Sequence, residues 1–286
     1  MSGGVIAPAW IRTIGFGLSN RASKRALTLL LLFLPGLALA ASPRLGLQTW
    51  TLRESSFEEV VQFAADHGIK DLQFMPEQIG LGAKPEVWAA KKRTLDDLGL
   101  RAYSIGVTNT HLDQAKNREI FEFAKAMALE LIVIEPPDFR ILDLIEALVK
   151  EYDIRVAIHN HGINTLYGNP LVIRNLIMHR DKRIGVCLDV GWLATGRFDV
   201  AEVYREYEGR VFDIHFKDKV VTGSLDGDRA TPAMIGAGSV DFRSLFDALR
   251  HAEYGGVLAI ETDGDWPDRS AFVKRGQKLF QANFPR

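Results

Sequence analysis

Residues that can bind a metal ion or transfer a proton recur at the ends of short apolar segments in the second half of the chain. Each segment stops at an acidic or basic side chain, and these side chains are Glu135, His159, His161, Asp189, His215, Lys217 and Glu261. Carboxylate and imidazole groups together suit Mn²⁺, Mg²⁺, Co²⁺ or Zn²⁺. Carboxylates crowded together without a cation repel one another, so a bound divalent ion would account for such a cluster.

The elements that must position these residues alternate along the chain. Apolar runs and stretches of helical periodicity follow each other from residue 43 onward, which predicts βα units and a parallel sheet. The predicted strands cover residues 45–51, 71–75, 101–107, 131–135, 155–160, 184–190, 211–216 and 257–261, with a helix after each. Eight such pairs in one domain favour a closed (β/α)8 TIM barrel over an open sheet. The active site of a TIM barrel lies at the carboxyl ends of its strands, where these side chains fall.

Local signals support this reading of the helices. Ser56, followed three residues later by Glu59, predicts a capping box at the start of the first helix. Gly68 and Gly99 follow the ends of the first two predicted helices, where a left-handed residue is favoured.

The first 40 residues differ from the rest. Residues 1–25 contain basic side chains and no acidic ones, a mostly apolar run follows, and it ends in Ala38-Leu39-Ala40. These are the three parts of a secretory signal peptide. The apolar run is shorter than the roughly 20 residues that span a bilayer, which disfavours the alternative of an uncleaved anchor. We therefore expect a signal peptide at 1–40, a barrel domain at 41–286 in the periplasm or outside the cell, and no membrane attachment after cleavage.

Composition excludes some partners. The chain has 35 Lys and Arg against 36 Asp and Glu, a net charge of −1, and no basic block after the first 40 residues. We therefore expect no nucleic-acid partner. Cys187 is the single cysteine, so no internal disulfide can form, and its apolar neighbours predict a core position.

Five segments together resemble the sugar phosphate isomerase/epimerase family, whose members have a xylose-isomerase-like TIM barrel. They read AIHNHG at 157–162, GVCLDVG at 185–191, DIHFKD at 213–218, IGAGSVDF at 235–242 and YGGVLAIE at 254–261. Each segment alone is a weak signal, but all five in this order are a strong one. The likeness extends from about residue 45 to the last predicted helix.

The resemblance implies one divalent metal ion at the ends of strands five to eight. The positions that match the family's ligands are His159, Asp189, His215 and Glu261. Mn²⁺ is favoured among Mn²⁺, Mg²⁺, Co²⁺ and Zn²⁺ because two carboxylates and a bound polyol make an oxygen-rich coordination sphere. Two positions depart from the family. Its sugar epimerases have an acid/base glutamate where this chain has His159, and members commonly have histidine where this chain has Trp192.

The remaining polar residues suggest roles in proton transfer and substrate binding. A metal-polarised carbonyl acidifies the neighbouring C–H, which a positioned base can then remove. Glu261 is the first candidate base and Glu135 the second, whereas His161 and Lys217 could stabilise oxyanions or exchange protons. Candidate substrate-binding residues are Gln48, His111 and Trp192.

These features leave several functions open. The first is a metal-dependent sugar isomerase or epimerase. A second is a metal-dependent lyase or hydratase that uses the same enolate chemistry on a 3-keto-glycoside. A third is a non-catalytic sugar-binding barrel. A nuclease of the endonuclease IV type is disfavoured by the near-neutral charge and by the predicted export. For each of these functions except the nuclease, the partner is a small-molecule sugar.

Overall fold

The computed structural model describes residues 42–207, 209–223 and 230–285. The predicted signal peptide at 1–40 lies outside the described residues, so it stays a prediction. The strands are β1 (Arg44–Gln48), β2 (Asp71–Phe74), β3 (Arg101–Thr108), β4 (Leu131–Ile134), β5 (Arg155–His159), β6 (Ile184–Asp189), β7 (Val211–Phe216), β8 (Asp218–Val221), β9 (Ala230–Ala233) and β10 (Val257–Ile260). In the described part of the chain, no helix is long and apolar enough to cross a membrane.

Eight of these strands close into a parallel barrel in the order β1-β10-β7-β6-β5-β4-β3-β2. The helices are α1 (Phe57–Asp66), α2 (Pro76–Ile79), α3 (Pro85–Asp97), α4 (Gln114–Ala126), α5 (Ile141–Tyr152), α6 (Pro170–Ile177), α7 (Val190–Thr195), α8 (Val200–Glu206), α9 (Phe242–His251) and α10 (Arg269–Asn283). The predicted TIM barrel is confirmed, because each predicted strand coincides with a barrel strand to within a few residues.

Side chains of the barrel strands alternate between two cores. Ile132 and Ile134 of β4 belong to the main apolar cluster that the helices cover. Leu131 and Val133 of the same strand pack with Cys187 in a separate group inside the barrel. Successive residues of a strand point to opposite faces, so this division follows from the strand itself. Cys187 is fully buried, as its apolar neighbours predicted.

The predicted helix signals are present. The Ser56 hydroxyl accepts a hydrogen bond from the Glu59 backbone at 3.2 Å, and the Glu59 carboxylate accepts one from the Ser56 backbone at 2.7 Å. Gly68 and Gly99 each have φ +64, the left-handed conformation that glycine adopts readily.

Several short elements differ from the sequence prediction. The predicted first strand was too long, because residues Thr49–Leu52 form a 3₁₀ turn. The predicted sixth strand ends one residue early, because Val190 begins α7. The antiparallel pair β8–β9, the short helix α2 and α7 were not predicted at all. These elements have four to six residues each, too few to show a clear periodicity.

Asp218 ties the β8–β9 hairpin to the segment that follows it. Its carboxylate accepts backbone hydrogen bonds from Gly236 at 3.0 Å, Gly238 at 2.8 Å and Val240 at 3.1 Å. A side chain at Gly238 would collide with that carboxylate. Two of the sequence motifs, those at 213–218 and 235–242, therefore meet at a structural support beside the barrel mouth.

Candidate active site

The carboxyl ends of the barrel strands surround a cleft of about 520 Å³. This is the end of a TIM barrel where catalytic residues gather. The predicted residues that line the cleft are Gln48, Glu135, His159, His161, Trp192, His215, Lys217 and Glu261. Asp189 lies directly beneath it, fully buried. His111 is exposed and borders a neighbouring cleft of about 330 Å³ instead.

Three of the predicted metal ligands form a compact group at the floor of the cleft. One ligand atom each from His159, Asp189 and His215 lies within 4.8 Å of the others. The Oδ2 atom of Asp189 is 3.3 Å from Nε2 of His159 and 3.7 Å from Nδ1 of His215. This spacing allows three donors to bind one cation.

Glu261 adds a fourth candidate donor to this group. Its Oε2 atom lies 2.7 Å from Nδ1 of His215, although the contact lacks hydrogen-bond geometry. Both atoms are buried, and neither has a hydrogen-bond partner within the described residues. Buried polar atoms without a partner are costly. A divalent cation between the ligands would satisfy both atoms, so this donor set fits a metal ion.

The orientation of His159 is fixed from outside the group. Its Nδ1 lies 2.6 Å from Oε1 of Glu135, which directs Nε2 towards Asp189. A carboxylate bonded to the remote nitrogen of a ligating histidine is a common arrangement in metal sites, where it sets the tautomer and raises ligand basicity. Glu135 is therefore placed as the partner of His159.

Asp189 is positioned through both ends of its carboxylate and through its backbone. Oδ1 caps α7 by accepting from the Trp192 backbone at 2.8 Å, which leaves Oδ2 to face the histidines. The side chain of Asn160 bonds the Asp189 backbone twice, accepting at 2.8 Å and donating at 3.0 Å. A side chain at Gly191 would come within 2.7 Å of Lys217. The segments HNH at 159–161 and DVGW at 189–192 therefore hold each other in place.

Lys217 is a buried cation among carboxylates. Its Nζ lies 2.9 Å from Asp189, 3.1 Å from Glu261 and 3.3 Å from Asp263. Burial lowers the pKa of this lysine, but the three carboxylates outweigh burial and raise it above its ordinary value. Burial likewise raises the pKa of Glu261, whereas Lys217 and His215 outweigh that effect and lower it to about 2. Both groups are therefore charged at neutral pH.

His161 differs from the other histidines of the cleft. Neither of its ring nitrogens has a hydrogen-bond partner among the described residues, and its ring stands edge-on to Trp192 at 4.6 Å between centroids. Burial lowers its pKa, an effect that nearby carboxylates reduce without reversing. By contrast, burial lowers the pKa of His159, but bonds with Asp189 and Glu135 outweigh burial and raise it. His161 is thus the neutral imidazole of the cleft.

Two predicted substrate-binding residues are already engaged. Gln48 donates to the Gly106 carbonyl at 3.0 Å and accepts from the Trp50 backbone at 2.6 Å. Lys219 places its ammonium 3.7 Å from the centre of the Trp192 ring, a cation–π contact that covers one ring face. A sugar therefore cannot stack on that face of Trp192.

The sequence prediction missed three buried polar residues below the candidate ligands. The Oε1 atom of Gln73 lies 2.7 Å from Nε2 of His215, and the amide nitrogen of Gln73 donates to Asp213. Tyr103 also donates to Asp213, at 2.9 Å. A glutamine and an aspartate within apolar strands were the available signals, since such residues are seldom buried without a partner.

The comparisons with known proteins establish the family. A family profile described as xylose isomerase-like TIM barrel matches residues 35–282, so the chain belongs to this family of enzymes. The expected family resemblance is confirmed.

Among curated proteins, the chain is 22% identical over 130 residues to an inosose dehydratase of Lacticaseibacillus casei, covering 41% of this chain and 43% of that protein. The match thus spans less than half the length of this relative. Among solved structures, the 3-keto-D-glucoside 4-epimerase of E. coli aligns with TM-score 0.67 and 14% identity, over 84% of this chain and 99% of that one. The IOLI protein with a bound zinc atom aligns with TM-score 0.65 and 14% identity, over 85% and 100%. At such identities these structural matches show the fold alone.

Proposed function

We propose that this protein is a metal-dependent dehydratase of a sugar or cyclic polyol ketone. In this proposal it removes a proton next to the carbonyl and then expels the β-hydroxyl group as water. The observation that carries the proposal is the pairing, in one cleft, of a neutral imidazole with a buried ammonium beside a metal-ligand group. An elimination needs one base and one acid, and His161 and Lys217 are such a pair. The similarity to inosose dehydratases supports the same reaction type.

The residues that would hold the ion are His159, Asp189, His215 and Glu261. A bound divalent ion would act as a Lewis acid that polarises the substrate carbonyl and makes the neighbouring C–H acidic. Mn²⁺ stays our first prediction because the substrate oxygens add to two carboxylates. Two imidazoles also suit Zn²⁺ or Co²⁺, and the zinc in the IOLI protein makes Zn²⁺ the natural comparison.

His161 is the base in this proposal. Burial holds its pKa below the ordinary value, so the imidazole is unprotonated at neutral pH and can accept a proton. The other two candidate bases suit different tasks. Glu261 has a pKa of about 2, which makes it a weak base but a good ligand. Glu135 is bonded to His159, which makes it a support for that ligand.

Lys217 is the acid that assists the leaving group. The electron pair of the broken C–H bond moves to the carbonyl oxygen and returns as the C–O bond at the β-carbon breaks. The surrounding carboxylates raise the pKa of Lys217, so its ammonium gives up a proton only to a strong base. The leaving hydroxide is such a base, takes that proton and departs as water. His161 returns the proton it removed to solvent or to Lys217. The products are an α,β-unsaturated ketone and one water molecule.

The isomerase or epimerase expected first from the family shares the initial proton removal with this proposal. Its two-glutamate form needs an acid/base glutamate at the position of His159. In this chain that residue is a histidine bonded to Glu135 and Asp189, an arrangement that suits a metal ligand. Return of a proton without loss of water would nevertheless give an epimer, so product analysis has to separate the two reactions.

The test is to incubate the metal-loaded protein with inosose and with a 3-keto-glucoside and to follow products by NMR and by absorbance of the conjugated ketone. We expect an unsaturated ketone from at least one of them, and its absence after His161→Asn. His179→Asn is the matched control, because this histidine is exposed beyond the end of α6 and away from the cleft. Formation of an epimer without any unsaturated product would show that the protein is an epimerase and not a dehydratase. Binding without turnover would favour a sugar-binding barrel.

A further inference from the structure

A hydrogen-bonded chain runs beneath the metal-ligand group inside the barrel. From His215, it passes through Gln73 at 2.7 Å to Asp213 at 2.5 Å and on to Tyr103 at 2.9 Å. All four side chains are at most 2% exposed. The chain joins β7 to the neighbouring strands β2 and β3 across the barrel.

The orientation of the Gln73 amide follows from its partners. Asp213 accepts from the Tyr103 hydroxyl on Oδ1 and faces Cys187 Sγ at 3.6 Å on Oδ2. A carboxylate accepts hydrogen bonds, so the group of Gln73 that faces Asp213 must be the NH₂. Ser104 lies 3.2 Å from the same nitrogen. The carbonyl oxygen of Gln73 must then face His215.

We infer that Gln73 is a positioning residue that makes Nδ1 the metal-binding atom of His215. Its carbonyl oxygen can only accept, so Nε2 of His215 must carry the proton. In the metal-bound form, in which the ring is neutral, the lone pair is then on Nδ1, which faces Asp189 at 3.7 Å and Glu261 at 2.7 Å. This inference rests on the metal site of the proposed function, but not on the reaction that the metal supports.

The same chain argues against a second metal site below the first. Ligand atoms of Cys187, Asp213 and His215 also lie within 4.8 Å of one another. However, Gln73 occupies Nε2 of His215, and the oxygens of Asp213 accept from Gln73 and Tyr103. This lower group is a hydrogen-bonded support, and we expect one ion per chain.

The first experiment measures Zn²⁺ and Mn²⁺ affinity of the full protein by calorimetry. Loss of a partner that orients a ligand typically weakens metal binding by roughly 10–100-fold, and we expect a loss in this range for Gln73→Met. Gln73→Glu keeps an oxygen acceptor for Nε2 of His215 and should bind more tightly than the methionine variant. Gln277→Met is the matched control. Gln277 lies in α10, far from the ligands, and its side chain donates a hydrogen bond to the His67 carbonyl at 2.7 Å.

The second experiment needs no variant and therefore does not depend on the folding of Gln73→Met. In Zn²⁺-loaded wild type labelled with ¹⁵N-histidine, we expect a directly bonded proton on Nε2 of His215 and none on Nδ1. A proton on Nδ1, or equal affinities of wild type and Gln73→Met, would overturn the inference while leaving the proposed metal site intact. Failure of wild type to bind either ion would overturn both. Tight binding without dehydratase activity would support the inference and count against the proposed reaction alone.

Discussion

The ammonium nitrogen of Lys217 lies 2.9 Å from the Oδ2 atom of Asp189, the same oxygen that faces both candidate ligand histidines. Lys217 therefore balances part of the negative charge of the ligand group. A buried cation with three carboxylates around it is stable only as a set, because removal of one partner leaves uncompensated buried charge.

Lys217→Met should accordingly destabilise the metal-free protein, by about 3–5 kcal/mol. A divalent ion binds the folded state and replaces part of the lost positive charge, so Mn²⁺ or Zn²⁺ should raise the Tm of the variant more than that of wild type. Thermal unfolding with and without each ion measures this. Lys92→Met is the control, because Lys92 makes a surface pair with Asp96. An equal rise in Tm for wild type and Lys217→Met would count against the shared site.

His161→Asn should lower kcat by about 10²–10⁴-fold, the usual contribution of a general base. Metal content should be unchanged, because His161 is outside the proposed ligand set. Steady-state kinetics and elemental analysis on the same preparation check both statements. Loss of the ion together with activity would show that His161 is a ligand instead.

The pH profile should reflect the lowered pKa of His161. The base works in its neutral form, and burial makes protonation harder, so more acid is needed to inactivate it than an ordinary histidine would require. We expect kcat/KM to fall on the acid side with a midpoint below about 6.5, the unperturbed histidine value. Metal saturation must be maintained at each pH. A midpoint above that value would argue against His161 as the base.

Export from the cytoplasm is a separate proposal that rests on residues 1–40. Basic residues, an apolar run and the Ala38-Leu39-Ala40 ending predict cleavage near Ala41. Mass spectrometry of the protein recovered from its native host should find an N-terminus at or within a few residues of Ala41. Intact chain beginning at Met1 in the cytoplasm would refute the proposal.

The sequence predicts the barrel well because its strands are short apolar runs separated by long helices, and each run ends at a side chain that the strand positions. The positions of His159, Asp189, His215 and Glu261 at the strand ends could all be predicted in this way. Gln73 could not, because its contact with His215 links residues 142 positions apart and depends on how the barrel closes. The cation–π contact between Lys219 and Trp192 could not be predicted either, because Lys219 lies in a hairpin whose strands have four residues each.

Proton exchange in D₂O is the most direct test of the proposed metal-dependent proton removal. Metal-loaded protein is incubated with inosose and with a 3-keto-glucoside, and NMR follows the hydrogen next to the carbonyl in substrate and product. We predict metal-dependent loss of that hydrogen at a rate that His161→Asn lowers by at least about 10²-fold. Substrate turnover with that hydrogen fully retained would contradict proton removal next to the carbonyl. Exchange at the same rate after removal of the metal would contradict the dependence of this step on the metal.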